Sequence, residues 1–440
     1  MHPRPRTARG LAEALLESPW RLDDLVDRGA LALGRRPRWL RALARRLLKK
    51  FPDARPTLDR AAEFVSHDDL FLRAYARGPF GLAHRPRPAP AMAPAPGPPS
   101  TWAVPAIATT LALADRLGLD PAVLDWLADR RGSERSTAEG PVRRYDYRWR
   151  PKRDGSARLI EIPRPRLKSV QRRLLDEVLA PIPPHDAAHG FRPGRSVRSF
   201  VEAHAGRSVV LKVDLRDFFP SIGGARVAAL FRAAGYPEAV ARTLAGLCTN
   251  RVPSTIWRRP DGPIAGPDDW RTRPLYRGRH LPQGAPTSPA LANLCAYRLD
   301  CRLAGLARSA GASYTRYADD LAFSGGDDLA RSVGRFHVHA CAIALEEGFA
   351  VNTRKTRVMR QGVRQQLAGA VLNDRPNIPR AAFDALKATL HNCLRHGPAG
   401  QDRSARADFR AHLLGRIAHV ATLNPARAAK LRATFEQIQW

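Results

Sequence analysis

The chain of 440 residues has little with which to staple itself, cross a membrane or balance its positive charge. Its five cysteines, Cys248, Cys295, Cys301, Cys341 and Cys393, form no CxxC pair and no metal-ligand spacing. That argues against a disulfide scaffold and a zinc ribbon, and predicts core thiols in a reducing compartment. No apolar run is long enough to span a bilayer, and the first residues are polar and arginine-rich, so the sequence predicts a cytoplasmic protein with no membrane partner. Acidic residues are outnumbered, 41 Asp and Glu against 73 Lys and Arg, for a net charge of +32. Such a chain repels itself unless polyanions neutralise it, and nucleic acid is the usual partner. A basic ribosome-like binder would show the same balance, so charge alone does not select an enzyme. Lysine is scarce beside arginine. Of eight lysines, Lys152, Lys168, Lys212 and Lys355 fall inside the motifs described next. A G+C-rich genome explains the bias, whereas a retained lysine can also mark a need for a compact, deprotonatable ammonium. Lys168 and Lys212 read equally well as solvated or snorkelling side chains.

What is present is a set of acidic and glycine-containing segments between strand-like runs. Tyr317-Ala318-Asp319-Asp320 lies between Ser313-Tyr314-Thr315-Arg316 and Leu321-Ala322-Phe323-Ser324. Neighbouring residues on a strand point to opposite faces, so two adjacent aspartates converge only where the backbone turns. A hairpin tip with two carboxylates suits hard divalent cations, although an isolated Asp-Asp turn is more often merely solvated. Upstream, Val209-Val210-Leu211-Lys212-Val213 reads as a buried strand closed by Asp214, ahead of an amphipathic helix through Val227, Leu230 and Phe231. A carboxylate ending a buried strand needs a cation or donor, and the Asp319–Asp320 turn offers a shared metal site. Between them, Leu281-Pro282-Gln283-Gly284-Ala285-Pro286-Thr287-Ser288-Pro289 turns into a helix through Leu291, Leu294 and Tyr297. That entry sets Gln283 and backbone N–H groups against a ligand.

In this order the three segments resemble motifs A, B and C of reverse transcriptases, with wording closest to the retron type. The resemblance extends over about residues 101–440. Arg150-Pro151-Lys152-Arg153-Asp154-Gly155-Ser156-Ala157-Arg158 is similar to the family's first fingers hairpin. Leu167 to Arg172 resembles the helix that follows, and His189-Gly190-Phe191-Arg192-Pro193-Gly194-Arg195-Ser196 the next motif. Phe349 to Lys355 resembles motif D, and Gln365 to Asn373 occupies the primer-grip region. Two elements tied to retron RNA recognition depart from the family pattern. Phe200 and Val201 replace the first two residues of Asn-Ala-x-x-His, leaving His204, and Leu367-Ala368-Gly369 stands where Val-Thr-Gly is usual.

The resemblance implies an α+β, right-hand polymerase fold with fingers, a palm built on an antiparallel sheet, a helical thumb and a helical N-terminal extension. It implies a bacterial RNA-directed DNA polymerase using Mg²⁺, two ions per site, with Mn²⁺ as substitute. Its partners would be RNA template and primer, dNTPs and the RNA–DNA hybrid. A cognate structured RNA, an accessory effector protein and a part in antiviral defence belong to the same expectation. Asp214 and Asp319 would bridge the ions and Asp320 would assist near the primer end. Phe219 would lie beneath the incoming sugar and exclude ribonucleotides, with Phe218 beside the triphosphate or in the core. Gln283 and Gly284 would face the nucleotide, Lys152 and Arg158 would clamp phosphates, and Lys355 would protonate pyrophosphate. Leu367, Ala368 and Gly369 would grip the primer. Asp217 reads as a turn or cap residue.

The expected layout is a helical, basic extension over 1–83, a Pro/Ala-rich linker over 84–100, and helical lead-in plus fingers over 101–208. A palm over 209–374, with an irregular insertion at 251–280, and a helical thumb over 375–440 complete it. Basic residues around 35–50 either cover RNA or form a solvated face. Gly325-Gly326-Asp327-Asp328 reads as turn plus helix cap, and Asp268-Asp269 as solvated. Two rivals stay open: a group II intron-type reverse transcriptase, and a non-catalytic nucleic-acid-binding protein on the same fold.

Overall fold

Leucines repeat at helical spacing through the N-terminal part of the chain, and that stripe becomes a core in the computed structural model. The structure describes residues 3–16, 20–52, 56–83, 91–93, 102–137, 140, 142–152, 157–258, 269–402 and 408–440. Two compact units are recognised, Met1–Ala91 and Met92–Trp440.

In the first unit, helices Pro3–Leu16, Leu22–Leu33, Arg38–Lys50, Leu58–His67 and Asp69–Arg77 bury Leu11, Leu15, Leu25, Leu40, Leu43, Leu47, Val65 and Phe71. Arg38–Lys50 shows why: its apolar residues fall on one face, and its basic residues occupy the other. Asp68 caps the last helix by accepting from Leu70 N–H at 2.9 Å and Phe71 N–H at 3.3 Å. Most of the 84–100 linker lies outside the described residues.

The second unit opens with helices Thr110–Leu117 and Pro121–Ala128, split by the turn at Gly118 and capped by Asp120. A hairpin follows, β1 (Tyr145–Pro151) against β2 (Ala157–Pro163); its tip, 153–156, lies outside the described residues. The organising element is β3 (Val209–Arg216). One of its edges pairs antiparallel with β5 (Asp320–Gly325), which pairs in turn with β4 (Ser313–Tyr317). The other edge is shared by β6 (Ala350–Val351) and β7 (Arg357–Arg360), also antiparallel. A small hairpin, β8 (Gln366–Leu367) with β9 (Ala370–Val371), leads to helices Arg380–His396, Phe409–Leu423 and Pro425–Glu436.

The two-residue period of β3 sorts its side chains. Val209, Leu211, Val213 and Leu215 enter the larger core, and Val210 enters a second core built with the C-terminal helices. On that second face the strand then changes from Val210 to Lys212 to Asp214, so the same face that packs at one end is polar at the other. The sheet is thereby fixed by burial while one corner of it is left for chemistry.

Several local expectations need correction. The 251–280 segment is less irregular than its composition suggests: Ser254–Arg258 forms a 3₁₀ turn and Asp269–Arg277 a helix, and Ile256, Tyr276 and His280 are buried. Its middle, 259–268, including Asp268, lies outside the described residues. The helix after Ser288 breaks at Ala296 into Ser288–Cys295 and Tyr297–Ser309, leaving Tyr297 exposed. Cys248, Cys295 and Cys393 are buried, but Cys301 is exposed and Cys341 half-buried, because both sit on outward helix positions. At Gly326 no side chain caps the following helix; Asp327 and Asp328 occupy its first turn instead. No described helix is long and apolar enough to cross a membrane.

Candidate active site

Asp214 of β3 is the direct register partner of Asp320, the first residue of β5. Like charges opposite each other on a sheet repel, so this pairing demands compensation. Lys212, two residues back on the same face, places Nζ 2.8 Å from Asp320 Oδ1. Lys355 places Nζ 3.8 Å from Asp214 Oδ2. Asn352 donates its backbone N–H to the Asp214 carbonyl at 2.8 Å, and its side chain hydrogen-bonds the Asp214 carboxylate.

Asp319 occupies the β4–β5 turn, where Ala318 takes a left-handed φ of 54°. The Asp319 carbonyl accepts from Leu215 N–H at 2.9 Å, which ties the turn to β3. Burial, then Asp320 and Asp214, push the Asp319 carboxyl up to about 6. Burial and Asp320 also raise Asp214, against the lowering effects of Lys355, Asn352 and Lys212. Three carboxylates from two separate segments therefore share one polar corner.

The turn is held from beneath by a fully buried arginine. Arg316 Nε and Nη2 donate to the two Asp300 carboxylate oxygens at 2.8 and 2.6 Å, with both side chains 0 % exposed. Its Nη1 donates to Asn293 Oδ1 at 3.0 Å and to the Ala318 carbonyl at 3.2 Å. Asn293 Nδ2 in turn donates to the Gly190 carbonyl at 2.8 Å. A buried charge pair with every donor nitrogen of the guanidinium occupied fixes its neighbours tightly.

The Gln283 loop locks onto β2. Glu161 N–H donates to the Gln283 carbonyl at 2.8 Å. Gly284 has φ 133°, and a Cβ there would lie 2.7 Å from the Glu161 carbonyl, so only glycine fits. The Glu161 carboxylate is clamped by His280 Nε2 at 2.9 Å and Asn250 Nδ2 at 2.7 Å. Gln283 Oε1 is buried without a hydrogen-bond partner among the described residues. On the same hairpin, Lys152 follows the end of β1, and exposed Arg158 faces Arg150 across the strands.

After β3, Asp217 adopts φ 47° and accepts from Thr272 Oγ1 at 3.0 Å. Phe218 is buried, 5.6 Å from the Phe349 ring centre. Phe219 is only half-buried and lies 6.2 Å from the Phe191 ring centre.

Residues 150–376 match the family model described as reverse transcriptase (RNA-dependent DNA polymerase). The chain is 41 % identical over 336 residues to the retron Mx65 reverse transcriptase of Myxococcus xanthus, covering 75 % of this chain and 72 % of that protein. This chain belongs to the retron-type reverse transcriptases. A second Myxococcus xanthus relative, the retron Mx162 reverse transcriptase, is 37 % identical over 346 residues, covering 74 % of this chain and 66 % of that protein. The retron Ec86 reverse transcriptase of Escherichia coli is 28 % identical over 255 residues, covering 58 % and 67 % respectively. The protein is thus an RNA-directed DNA polymerase of α+β architecture.

The two family departures have structural reasons in this reverse transcriptase. Phe200 and Val201 are fully buried in the second core. His204 is buried with Nδ1 2.7 Å from Ser324 Oγ and Nε2 2.7 Å from Thr315 Oγ1. Burial holds its pKa down at about 3, so the ring is a neutral strut between the Val197–Glu202 helix and the β4–β5 hairpin. At the other departure, Ala368 (φ 45°) and Gly369 (φ 85°) form the two-residue tip of the β8–β9 hairpin, which requires positive φ at both positions. Leu367 is buried at its base.

Lys212 was readable as a solvated or snorkelling side chain, yet it is the ion-pair partner of Asp320; the scarcity of lysine was its signal. Asn352, Arg316, Asp300 and Asn293 had no signal short of tertiary contact. Asp214, Asp319, Asp320 and Lys355 come together, whereas Lys152, Arg158, Gln283 and Leu367–Gly369 sit on separate elements.

Proposed function

We propose that this enzyme copies a structured cognate RNA into single-stranded DNA with two divalent cations held by Asp214, Asp319 and Asp320. The observation carrying this reading is the convergence of three carboxylates in one corner, where burial, and then Asp320 and Asp214, raise Asp319 to about 6. Among the described residues no three His, Cys, Asp or Glu side chains form a closed metal cage. The donor set still fits: carboxylate oxygens alone, short of positive charge, match Mg²⁺ or Mn²⁺ rather than zinc. When bound, the cations lower the pKa of the primer 3′-hydroxyl and neutralise the pyrophosphate leaving group.

The remaining roles belong to this chain's own groups. Asp214 and Asp319 would hold the cations, with Asp320 assisting. Lys355, already beside Asp214, holds the proton for the leaving pyrophosphate. The β1–β2 hairpin acts as fingers, with Lys152 as a point charge and Arg158 as a bidentate clamp on the triphosphate. The orphaned Gln283 amide oxygen meets the incoming nucleotide or template base beside Gly284. Phe219 lies beneath the sugar and excludes a 2′-hydroxyl, while Phe218 supports it from the core. The five-stranded sheet is the palm, the β8–β9 hairpin grips the primer through Leu367, Ala368 and Gly369, and the C-terminal helices form the thumb. The large positive charge grips folded RNA by shape and phosphate contacts. In the retron manner, an internal guanosine 2′-hydroxyl of the RNA primes synthesis, and an accessory effector protein is a further partner.

Primer extension on an RNA template, with wild type, Asp214→Asn and Asp319→Asn, tests the catalytic assignment. Each variant is expected to remain folded and to lose several kcal/mol of transition-state stabilisation, a drop of about a thousandfold or more. Equal activity in all three would sink it. Expressing the gene with its flanking DNA tests the retron role, the expected product being a short DNA whose mobility shifts on RNase treatment. Ordinary primer-dependent DNA with no RNA attached would assign the enzyme a different biology.

A further inference from the structure

Phe191 is the least comfortable residue near the site. It is a large apolar side chain that is 49 % exposed, although it directly follows the buried run Ala187–Gly190. Its backbone is left-handed, φ 57°, a conformation that costs free energy for any residue with a bulky side chain. That conformation is held from the N-terminal side, where the two preceding residues are clamped. His189 N–H donates to the Arg316 carbonyl at 2.8 Å, and the Gly190 carbonyl accepts from Asn293 Nδ2 at 2.8 Å. Gly190 also presses against the carboxylate turn: a Cβ there would meet Ala318 N at 2.9 Å. The strained backbone aims one ring at two others, with Phe219 at 6.2 Å and Tyr317 at 6.1 Å between ring centres. Strain maintained by surrounding contacts, at a site and in an exposed side chain, points to use rather than packing.

We propose that Phe191 is an additional aromatic wall of the nucleotide site. It contacts the sugar of the incoming nucleotide beside Phe219 and spans the gap toward Tyr317 on the turn that carries Asp319. The inference rests on the reading of Phe219 as the surface beneath that sugar. Phe191 then does two things. It supplies apolar area to the sugar, and it fixes the Phe219 ring from the side so that Phe219 cannot tilt away to admit a 2′-hydroxyl.

Single-nucleotide incorporation on a primed RNA template, with dNTP and matching rNTP, tests this in Phe191→Ala, Phe191→Gly, Phe219→Val and the Phe191→Ala/Phe219→Val double variant. Removing the ring is expected to raise KM for dNTP and the rNTP-to-dNTP efficiency ratio by about fivefold, in keeping with one lost aromatic contact. The effect should fall on KM more than on kcat. Phe219→Val should have the larger effect, and the double variant should show less than the product of the two, because both rings form one wall. Phe191→Gly should melt no lower than wild type, since glycine adopts the left-handed backbone freely. Wild-type KM and sugar discrimination in both Phe191 variants would overturn the proposal, as would a lowered melting temperature with unchanged kinetics, which marks a packing residue. If Phe219→Val alone alters sugar choice, the Phe219 reading stands and Phe191 falls. If Phe191→Ala raises KM while Phe219→Val leaves sugar choice untouched, the Phe191 contact stands and the sugar gate at Phe219 falls.

Discussion

The Met1–Ala91 unit and the Met92–Trp440 unit solve the same folding problem with different materials. In the first, the described core is leucine, alanine, valine and phenylalanine, and pairs such as Arg9–Asp59 and Arg41–Asp23 lie on the surface. Asp68 is its one buried charged side chain among the described residues; it serves as a helix cap and pairs with the exposed Arg46 at 3.2 Å. The second unit buries charge repeatedly: Arg316 with Asp300, Arg144 with Asp129 and Glu134, and His280 with Glu161. Apolar packing alone supplies stability more cheaply than a buried ion pair does. Buried charge therefore marks where the fold must hold a particular geometry, and two of these networks lie directly under the Asp319 turn and the Gln283 loop.

Breaking the Arg316 network should give the largest effect on stability. Arg316→Ala strands the fully buried Asp300 carboxylate and is expected to cost about 3–5 kcal/mol, measured by denaturant unfolding. Replacing both partners, Arg316→Met with Asp300→Leu, should recover much of that stability while polymerase activity stays low, because the Ala318 carbonyl has lost its donor. Recovery of full activity in the double variant would show that the network stabilises without positioning.

A smaller effect is expected at Asp319, where the pH dependence has a definite sign. Its carboxyl is raised from 3.8 to about 6 in the folded protein. Ionising it opposes folding, so the cost is absent below the ordinary value, grows as pH rises through about 6 and is full above that. In chelator at pH 8, Asp319→Asn should melt higher than wild type, on the order of 2 °C or more, and the gain should vanish near pH 4. Mg²⁺ should raise the wild-type melting temperature at pH 8 more than at pH 5, and the Asn variant less at either pH. A wild-type melting temperature indifferent to Mg²⁺ at pH 8 would argue against the metal reading.

The first unit sharpens the contrast from the other side. Removing the exposed Arg9–Asp59 pair by Arg9→Ala should change stability by less than about 1 kcal/mol, and less still at high salt. The smallest effect is expected from deleting residues 1–91 altogether, with extension on a generic primed template persisting because that unit has its own core. An insoluble or inactive product would mean that the unit is integral to the polymerase.

Local pattern decided a good deal of this protein. The apolar run at 209–215, the turn at 317–320, the helix starts at Pro121, Ser288 and Pro425, and the leucine stripes of the first unit all follow from periodicity and turn chemistry that neighbours in the chain impose. The wording of the segments around Asp214, Gln283 and Asp319–Asp320 resembled the reverse transcriptase family, to which the chain belongs. Other features depended on which strand met which. The opposition of Asp214 and Asp320 follows from the register of β3 against β5, and one residue of slip would have turned every side chain to the other face. Lys212 became an ion-pair partner through that same register. Phe191 became exposed and strained because Arg316 and Asn293, far along the chain, hold its neighbours in place. Sequence determines which groups are available and where the backbone can turn. Contacts between distant segments decide which of those groups share a site, because their energies depend on distances that no local pattern contains.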